Sequence, residues 1–294
     1  MITPSRRRRF RIAAAAVSVT LAAGSVISLA QETLRVNVDL VNVFLTTQDG
    51  KGQFITDLNK NDFAVYDDDQ PQNIAVFEKQ DAVQSSIGFL VDNSGSMVDI
   101  IPFMQRGIRD FTNTFNKPAE IFLMSFGMTV SLLHDSTQSQ KHLVQSLEGI
   151  RAWGTSVFYD GMVQGLEKIG KSQHQRKALV VFTDGDDNGS HVGRNEVIEA
   201  AQRNGALLYF IAIGSPVMID KSTLDKLATL SGGRAFYVRK TDSVSSVLEQ
   251  IRTELSKQYY IAYYVPRRSG YHKIRIETPG RALKIQAKTG YLVN

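Results

Sequence analysis

The stretch Ile87-Gly88-Phe89-Leu90-Val91-Asp92-Asn93-Ser94-Gly95-Ser96 constrains this chain more than any other. Its apolar half is too short for an independent helix and is uninterrupted by polar residues. That pattern suits a strand buried on both faces, as in a parallel sheet. The polar half then falls at the carboxyl end of the strand, where open α/β sheets hold their ligands. Asp92, Ser94 and Ser96 alternate, so a tight turn can direct three oxygens at one point. Three hard oxygens of low total charge suit Mg²⁺ or Mn²⁺, with Ca²⁺ the remaining candidate. Taken alone, the same residues serve equally well as the cap of a following helix.

The rest of the chain decides which. After Ser85, apolar runs at Ile121–Phe126, Ala178–Phe182 and Ala206–Ile213 alternate with segments of helical period, at 98–115, 141–147, 157–169, 196–203, 224–230 and 244–255. Strands separated by helices predict right-handed crossovers and a doubly wound, mostly parallel α/β sheet covered on both sides. Thr129–Leu133 and Ala235–Val238 read as short neighbours at its edges. The flanks are different. Leu34–Leu40 alternates and Val41–Leu45 extends the strand, and turn signals at Asp49-Gly50 and Asn59–Asp62 lead to Phe63–Tyr66 and Asn73–Phe77. The run Asp67-Asp68-Asp69 reads as a solvated turn. Tyr259–Val265, Lys273–Glu277 and Leu283–Ala287 are further strands. Neither flank has enough apolar surface to stand alone, so the two are expected to pair into one small β-sandwich. The expected boundaries are 1–30, a leader; 31–83, the first β segment; 84–257, the α/β domain; and 258–294, the second β segment.

Charge and composition exclude several function classes. The formal charge is +5, but Arg6, Arg7, Arg8, Arg9 and Arg11 supply all of it. Without them basic and acidic residues balance at 29 each, which argues against a nucleic-acid binder. Those arginines, the uncharged segment Ile12–Leu29 and Ser28-Leu29-Ala30 form the pattern of an export signal, with Ser5–Phe10 close to a twin-arginine motif. An uncleaved anchor is the rival, weakened by the segment's alanine, glycine and serine content. The expectation is a periplasmic or extracellular chain with no membrane span after cleavage. The absence of cysteine removes disulfides, thiolate metal sites and Cys nucleophiles.

Two further segments carry matching chemistry. Gly154-Thr155-Ser156 precedes a helix, and Thr183-Asp184-Gly185 directly follows the second buried strand. If that strand lies beside Phe89–Val91, Asp184 and Asp92 converge. With Asp92-x-Ser94-x-Ser96, Thr155 and Asp184 in this order, the chain resembles a von Willebrand factor type A domain with its metal-ion-dependent adhesion site. The likeness covers about Ser85–Lys257. Asn61-Asp62-Phe63 and Gly290-Tyr291 resemble the form of this family found in exported acidobacterial proteins. The resemblance implies that Ser94 and Ser96 bind the cation directly, that Thr155 does so in some states, and that Asp92 and Asp184 act directly or through water. It also implies an open coordination position that accepts an Asp or Glu from a partner protein, in adhesion or assembly, coupled to movement of the last helix.

Competing readings are weaker. Asp184–Gly189 opens like an EF-hand loop, but the required twelfth-position Glu is Asn195 and a strand precedes it. Asp186 and Asp187 are then solvated loop charges, and Asp160 an exposed or capping residue. The five histidines have no ligand spacing and are expected at the surface. Trp153 is a packing residue or, near the metal rim, a partner contact. A metal-assisted hydrolase or phosphotransferase is the enzyme alternative, but a haloacid-dehalogenase-type site wants Asp where Ser94 stands. No Gly-x-Ser-x-Gly or Walker loop is present. A structural envelope protein with a vestigial site is the third reading. The expectation is a binding protein and not an enzyme.

Overall fold

The computed structural model describes residues 38–79, 84–113, 120–136, 139–214, 220–239 and 243–293. The leader expected over residues 1–30 and the alternation of Leu34–Asn37 lie outside them. The first β segment holds four strands. β1 (Val38–Gln48) turns Val41, Val43 and Leu45 into one core and Phe44 into another. β2 (Ala64–Asp67) and β3 (Gln70–Gln72) form a hairpin, and β4 (Ile74–Lys79) follows. Asp68 and Asp69 make the hairpin turn with φ of 48° and 63°, the positive values a two-residue type I′ turn demands and Asp tolerates. Asp67 departs from expectation. It is buried, because it shares the inward face of β2 with Val65.

From Ser85 strands and helices alternate. They are β5 (Ser85–Asp92), α1 (Ile101–Asn113), β6 (Glu120–Phe126), β7 (Val130–His134), α2 (Gln140–Gly149) and α3 (Phe158–Gly170). Then come β8 (Arg176–Thr183), α4 (Arg194–Asn204), β9 (Leu207–Ile213), α5 (Lys221–Ser231), β10 (Arg234–Val238) and α6 (Ser243–Ser256). One six-stranded sheet results, in the order β10-β9-β8-β5-β6-β7, parallel throughout except for β7. Every residue of β5 is buried, as its unbroken apolar run requires. Met104 and Ile108 of α1 and Val244, Leu248 and Ile251 of α6 pack on one face of the sheet. Met162 and Leu166 of α3, Val197 of α4 and Leu224 of α5 pack on the other. A Cβ at Gly88 would lie 2.2 Å from the Phe122 ring, so only glycine lets the side chain of Phe122 lie across β5. Leaving β5, the chain builds β6 on one side and later β8 on the other. The switch of direction opens a crevice at the carboxyl ends of β5 and β8, the place where such sheets bind ligands.

The last segment adds β11 (Tyr259–Pro266), β12 (Gly270–Glu277), β13 (Lys284–Ala287) and β14 (Gly290–Val293). β13-β1-β11-β4 form one four-stranded antiparallel sheet and β14-β12-β2-β3 a second. The two β segments therefore combine into a small sandwich, as their shortage of apolar surface predicts. β11 has two buried faces. Tyr259, Ile261 and Tyr263 fill the sandwich core, while Tyr260 and Ala262 join the core under α1 and α6. Phe44 and Tyr260 stack there with ring centroids 5.0 Å apart. Among the described residues no helix is long and apolar enough to cross a membrane.

Candidate metal site

The carboxylate of Asp92, at the last position of β5, is fully buried. Its Oδ1 accepts the Ser94 backbone N–H at 2.9 Å, the local turn that Asp forms readily with the residue two places on. Its Oδ2 accepts the hydroxyls of Ser156 at 3.3 Å and Thr183 at 3.2 Å. The Asp92 carboxylate is thus held by neutral donors from three segments: the loop after β5, the loop before α3 and the end of β8. The Ser94 and Ser96 hydroxyls lie 3.0 Å apart. Ser94 caps a 3-10 turn at Gly95–Met97 and is buried, while Ser96 within the turn is exposed.

The second loop is tied to the first by its backbone. The Trp153 N–H donates to the Asn93 carbonyl at 2.9 Å, and the Gly95 N–H donates to the Gly154 carbonyl at 3.1 Å. Gly154 has φ of 74°, which a side chain would strain. These bonds bring Thr155 beside Ser94–Ser96, exposed, while Ser156 turns inward. The third loop leaves β8, which pairs in parallel register with β5. Asp184 therefore reaches the same crevice, half-buried, and its charge acts on Asp92. Burial, joined by the Asp184 charge and opposed by the Ser94 and Thr183 hydrogen bonds, pushes the Asp92 carboxyl from 3.8 up to about 6.

Of the five expected residues, Asp92 ends β5 and Ser94, Ser96, Thr155 and Asp184 lie on the loops around it at one sheet rim. The donor set fits a hard divalent cation. Two carboxylates, that of Asp92 fully buried, share a crevice with three hydroxyls, and neither carboxylate forms an ion pair with a cationic side chain among the described residues. Two residues of the site went unassigned in the sequence. Ser156 and Thr183 are buried and orient Asp92, and the signal available was their position directly beside Thr155 and Asp184.

Other residues differ from expectation. Asp187 is half-buried and accepts the Tyr159 N–H at the start of α3 and the Ser190 hydroxyl. Asp160 accepts the N–H groups of His191 and Val192 and pairs with the His191 ring at 2.8 Å, so both acids brace the loop after Asp184. His134 and His272 are buried, not at the surface. The His134 and His142 rings stack with their Nδ1 atoms 3.1 Å apart. Within the sandwich, Asp67, Asp68 and His272 also lie within ligand distance of one another. Their valences are already used. Both His272 nitrogens face acceptors, Asp68 and the Arg268 carbonyl, while Tyr263 and Tyr291 both donate to Asp67. This group is a hydrogen-bonded clamp between β2, β11, β12 and β14, separate from the Asp92 crevice.

A nearly parallel sheet with two carboxylates and three hydroxyls gathered at its switch point defines a von Willebrand factor A-type module. The von Willebrand factor type A domain model matches residues 86–252, more than half of the chain, and the chain belongs to that family. A curated relative, calcium-activated chloride channel regulator 3A-1 of Mus musculus, is 26% identical over 161 residues, 51% of this chain and 17% of the regulator. The chain thus spans about a sixth of that relative's length. Among solved structures, von Willebrand factor type A from Catenulispora acidiphila superposes with a TM-score of 0.53 at 12% identity, over 79% of this chain and 75% of that one. Proximal thread matrix protein 1 of the mussel byssus, in a form with a zinc-occupied metal-ion-dependent adhesion site, superposes with a TM-score of 0.55 at 18% identity, over 65% of this chain and 50% of that one.

Proposed function

We propose that this protein is an exported, non-enzymatic protein-binding module of adhesion or assembly. In this proposal a divalent cation at Asp92, Ser94, Ser96, Thr155 and Asp184 accepts an Asp or Glu from a partner protein. The single observation that carries the reading is the convergence of three loops on one buried carboxylate. Ser94 and Ser96 present their hydroxyls as direct ligands. Asp92, already bonded by three donors, orients Ser94 and carries charge. Thr155 and Asp184 stand on the open side. A hard cation bound there supplies a Lewis-acidic position for an incoming carboxylate. Mg²⁺ is the proposed ion, favoured by oxygen ligands of low total charge, with Mn²⁺ and Ca²⁺ next. The zinc reported for the mussel protein's site concerns that protein. The arginine-rich leader pattern supports export.

Binding is favoured over catalysis by where the histidine rings are used. The His191 ring bonds Asp160, and the His272 ring bonds Asp68 and the Arg268 carbonyl, so these two rings are engaged away from Asp92 and Asp184. Isothermal titration of the chain with Mg²⁺ and Mn²⁺ tests the site. Saturable one-site binding that falls tenfold or more in Ser96→Ala, with an unchanged circular dichroism spectrum, is the expected outcome; comparable loss on deleting supporting groups is about 10–100-fold. Equal binding by the variant would overturn the assignment.

A further inference from the structure

The rim of the crevice carries apolar side chains that the metal site does not use. Trp153 and Val98 are each 59% exposed and Met128 is 50% exposed. Val98 and Trp153 belong to loops already described, and Met128 to the turn between β6 and β7. Val98 lies two residues beyond Ser96, Trp153 two residues before Thr155, and Met128 rests on Gly154, where a Cβ would come within 2.5 Å of the Met128 Cγ. Beside Trp153 opens a cavity of about 360 Å³, walled by Asn93, Ser125, Leu133, Ile150, Arg151 and Trp153. Ser125 pairs in register with Val91, so the cavity begins one residue from Asp92. Ile150 is buried beneath it and Leu133 half-buried. Arg151 sits on its wall with the guanidinium donating to the carbonyls of Glu148 and Ile150, at 2.5 and 2.9 Å. Asn93 donates in turn to the Arg151 carbonyl at 3.2 Å.

We propose that this groove is a specificity pocket for the side chain next to the partner's metal-bound carboxylate. The ligand is then a peptide segment in which Asp or Glu adjoins Leu, Met or an aromatic residue. The inference rests on the carboxylate-accepting reading above. Three features support this occupant. The volume is at the low end of ligand pockets, room for a short peptide stretch with one apolar side chain and too small for a helix. An exposed apolar patch fixed to a polar site marks an interaction surface. The Arg151 charge on the wall complements an acidic segment and opposes a basic one.

Trp153 is the only tryptophan in the chain, so its emission reports on the groove directly. The experiment titrates the full chain in saturating Mg²⁺ with three blocked tetrapeptides, Gly-Asp-Leu-Gly, Gly-Asp-Gly-Gly and Gly-Asn-Leu-Gly, following Trp153 fluorescence. Gly-Asp-Leu-Gly is expected to shift the emission and to bind about ten-fold or more tighter than Gly-Asp-Gly-Gly, the gain from burying one leucine. Binding is expected to vanish with chelator and with the Asn peptide. Gly149→Leu provides the second arm. A Cβ there meets nothing within 4 Å, so the fold accepts it at the end of α2 while the side chain enters the groove. It should abolish the preference for Leu and leave Gly-Asp-Gly-Gly binding unchanged. Equal affinity for the two Asp peptides overturns the groove assignment and leaves the carboxylate reading standing. Failure of both Asp peptides in the presence of metal overturns both. Emission that depends on protein concentration without peptide assigns the groove to a second copy of the chain and overturns the peptide proposal.

Discussion

Replacing Asp92 by Asn should stabilise the metal-free protein while removing its response to metal. The carboxyl is fully buried, has only neutral hydrogen-bond donors and faces Asp184, and its pKa rises from 3.8 to about 6. A carboxyl raised in this way is favoured by the fold when protonated. Well below pH 3.8 the folded and unfolded chains both hold the proton, so the group imposes no penalty. As pH rises through about 6 the folded chain must ionise a group it prefers neutral, and stability falls. The shift corresponds to a penalty of about 3 kcal/mol at pH 7, at about 1.4 kcal/mol per unit of pKa. Asn keeps an acceptor for the Ser94 N–H, and the Ser156 and Thr183 hydroxyls can rotate to accept from its amide. Some of the gain is lost to imperfect geometry, which leaves an expected stabilisation of about 1–3 kcal/mol at pH 7 and about zero at about pH 3. Urea unfolding of both proteins in chelator at the two pH values measures this difference, and other titrating groups cancel between them. An Asn variant less stable than the parent at pH 7 in chelator would refute the picture of an uncompensated buried charge.

Two further substitutions test the frame around the site. Glu254 on α6 is 2% exposed and pairs with Arg234 of β10 at 2.9 Å, with Gln286 of β13 at 3.5 Å. Glu254→Ala should cost about 3 kcal/mol, the low end for breaking a buried pair because Arg234 reaches water, and thermal unfolding will show it. Gly88→Ala would press a methyl into Phe122 and Leu179 beneath the metal loops. It should cost about 1–3 kcal/mol in urea unfolding.

Much of the site was legible because its residues sit at the ends of strands that announce themselves. Runs such as Phe89–Val91 and Ala178–Phe182 have no polar face and must lie in the middle of a parallel sheet, so the polar residue that follows each must fall on its rim. Register does the rest: pairing β5 with β8 brings Asp92 and Asp184 together. The parts that escaped depend on contacts between distant positions. β3 and β14 are short edge strands, each paired on one side only, and Gln70–Gln72 carries no apolar signal at all. Asp67 looked solvated within an acidic run, yet alternation from Val65 already placed it inward. Its partners Tyr263 and Tyr291 are about 200 residues away, beyond the reach of local patterning. His134 is buried against His142 of α2, a pairing set by tertiary packing. Trp153 proved to be exposed, on a loop whose backbone is tied to the Asn93 carbonyl, a contact that local patterning does not reveal.

The metal site at the end of β5 stands or falls on where one ion sits. Crystals of the protein grown with Mn²⁺ and measured at the manganese edge are predicted to show a single strong anomalous peak between the Ser94 and Ser96 hydroxyls, on the side of Thr155 and Asp184. A peak at Asp67, Asp68 and His272 instead, or none at the end of β5, would contradict it.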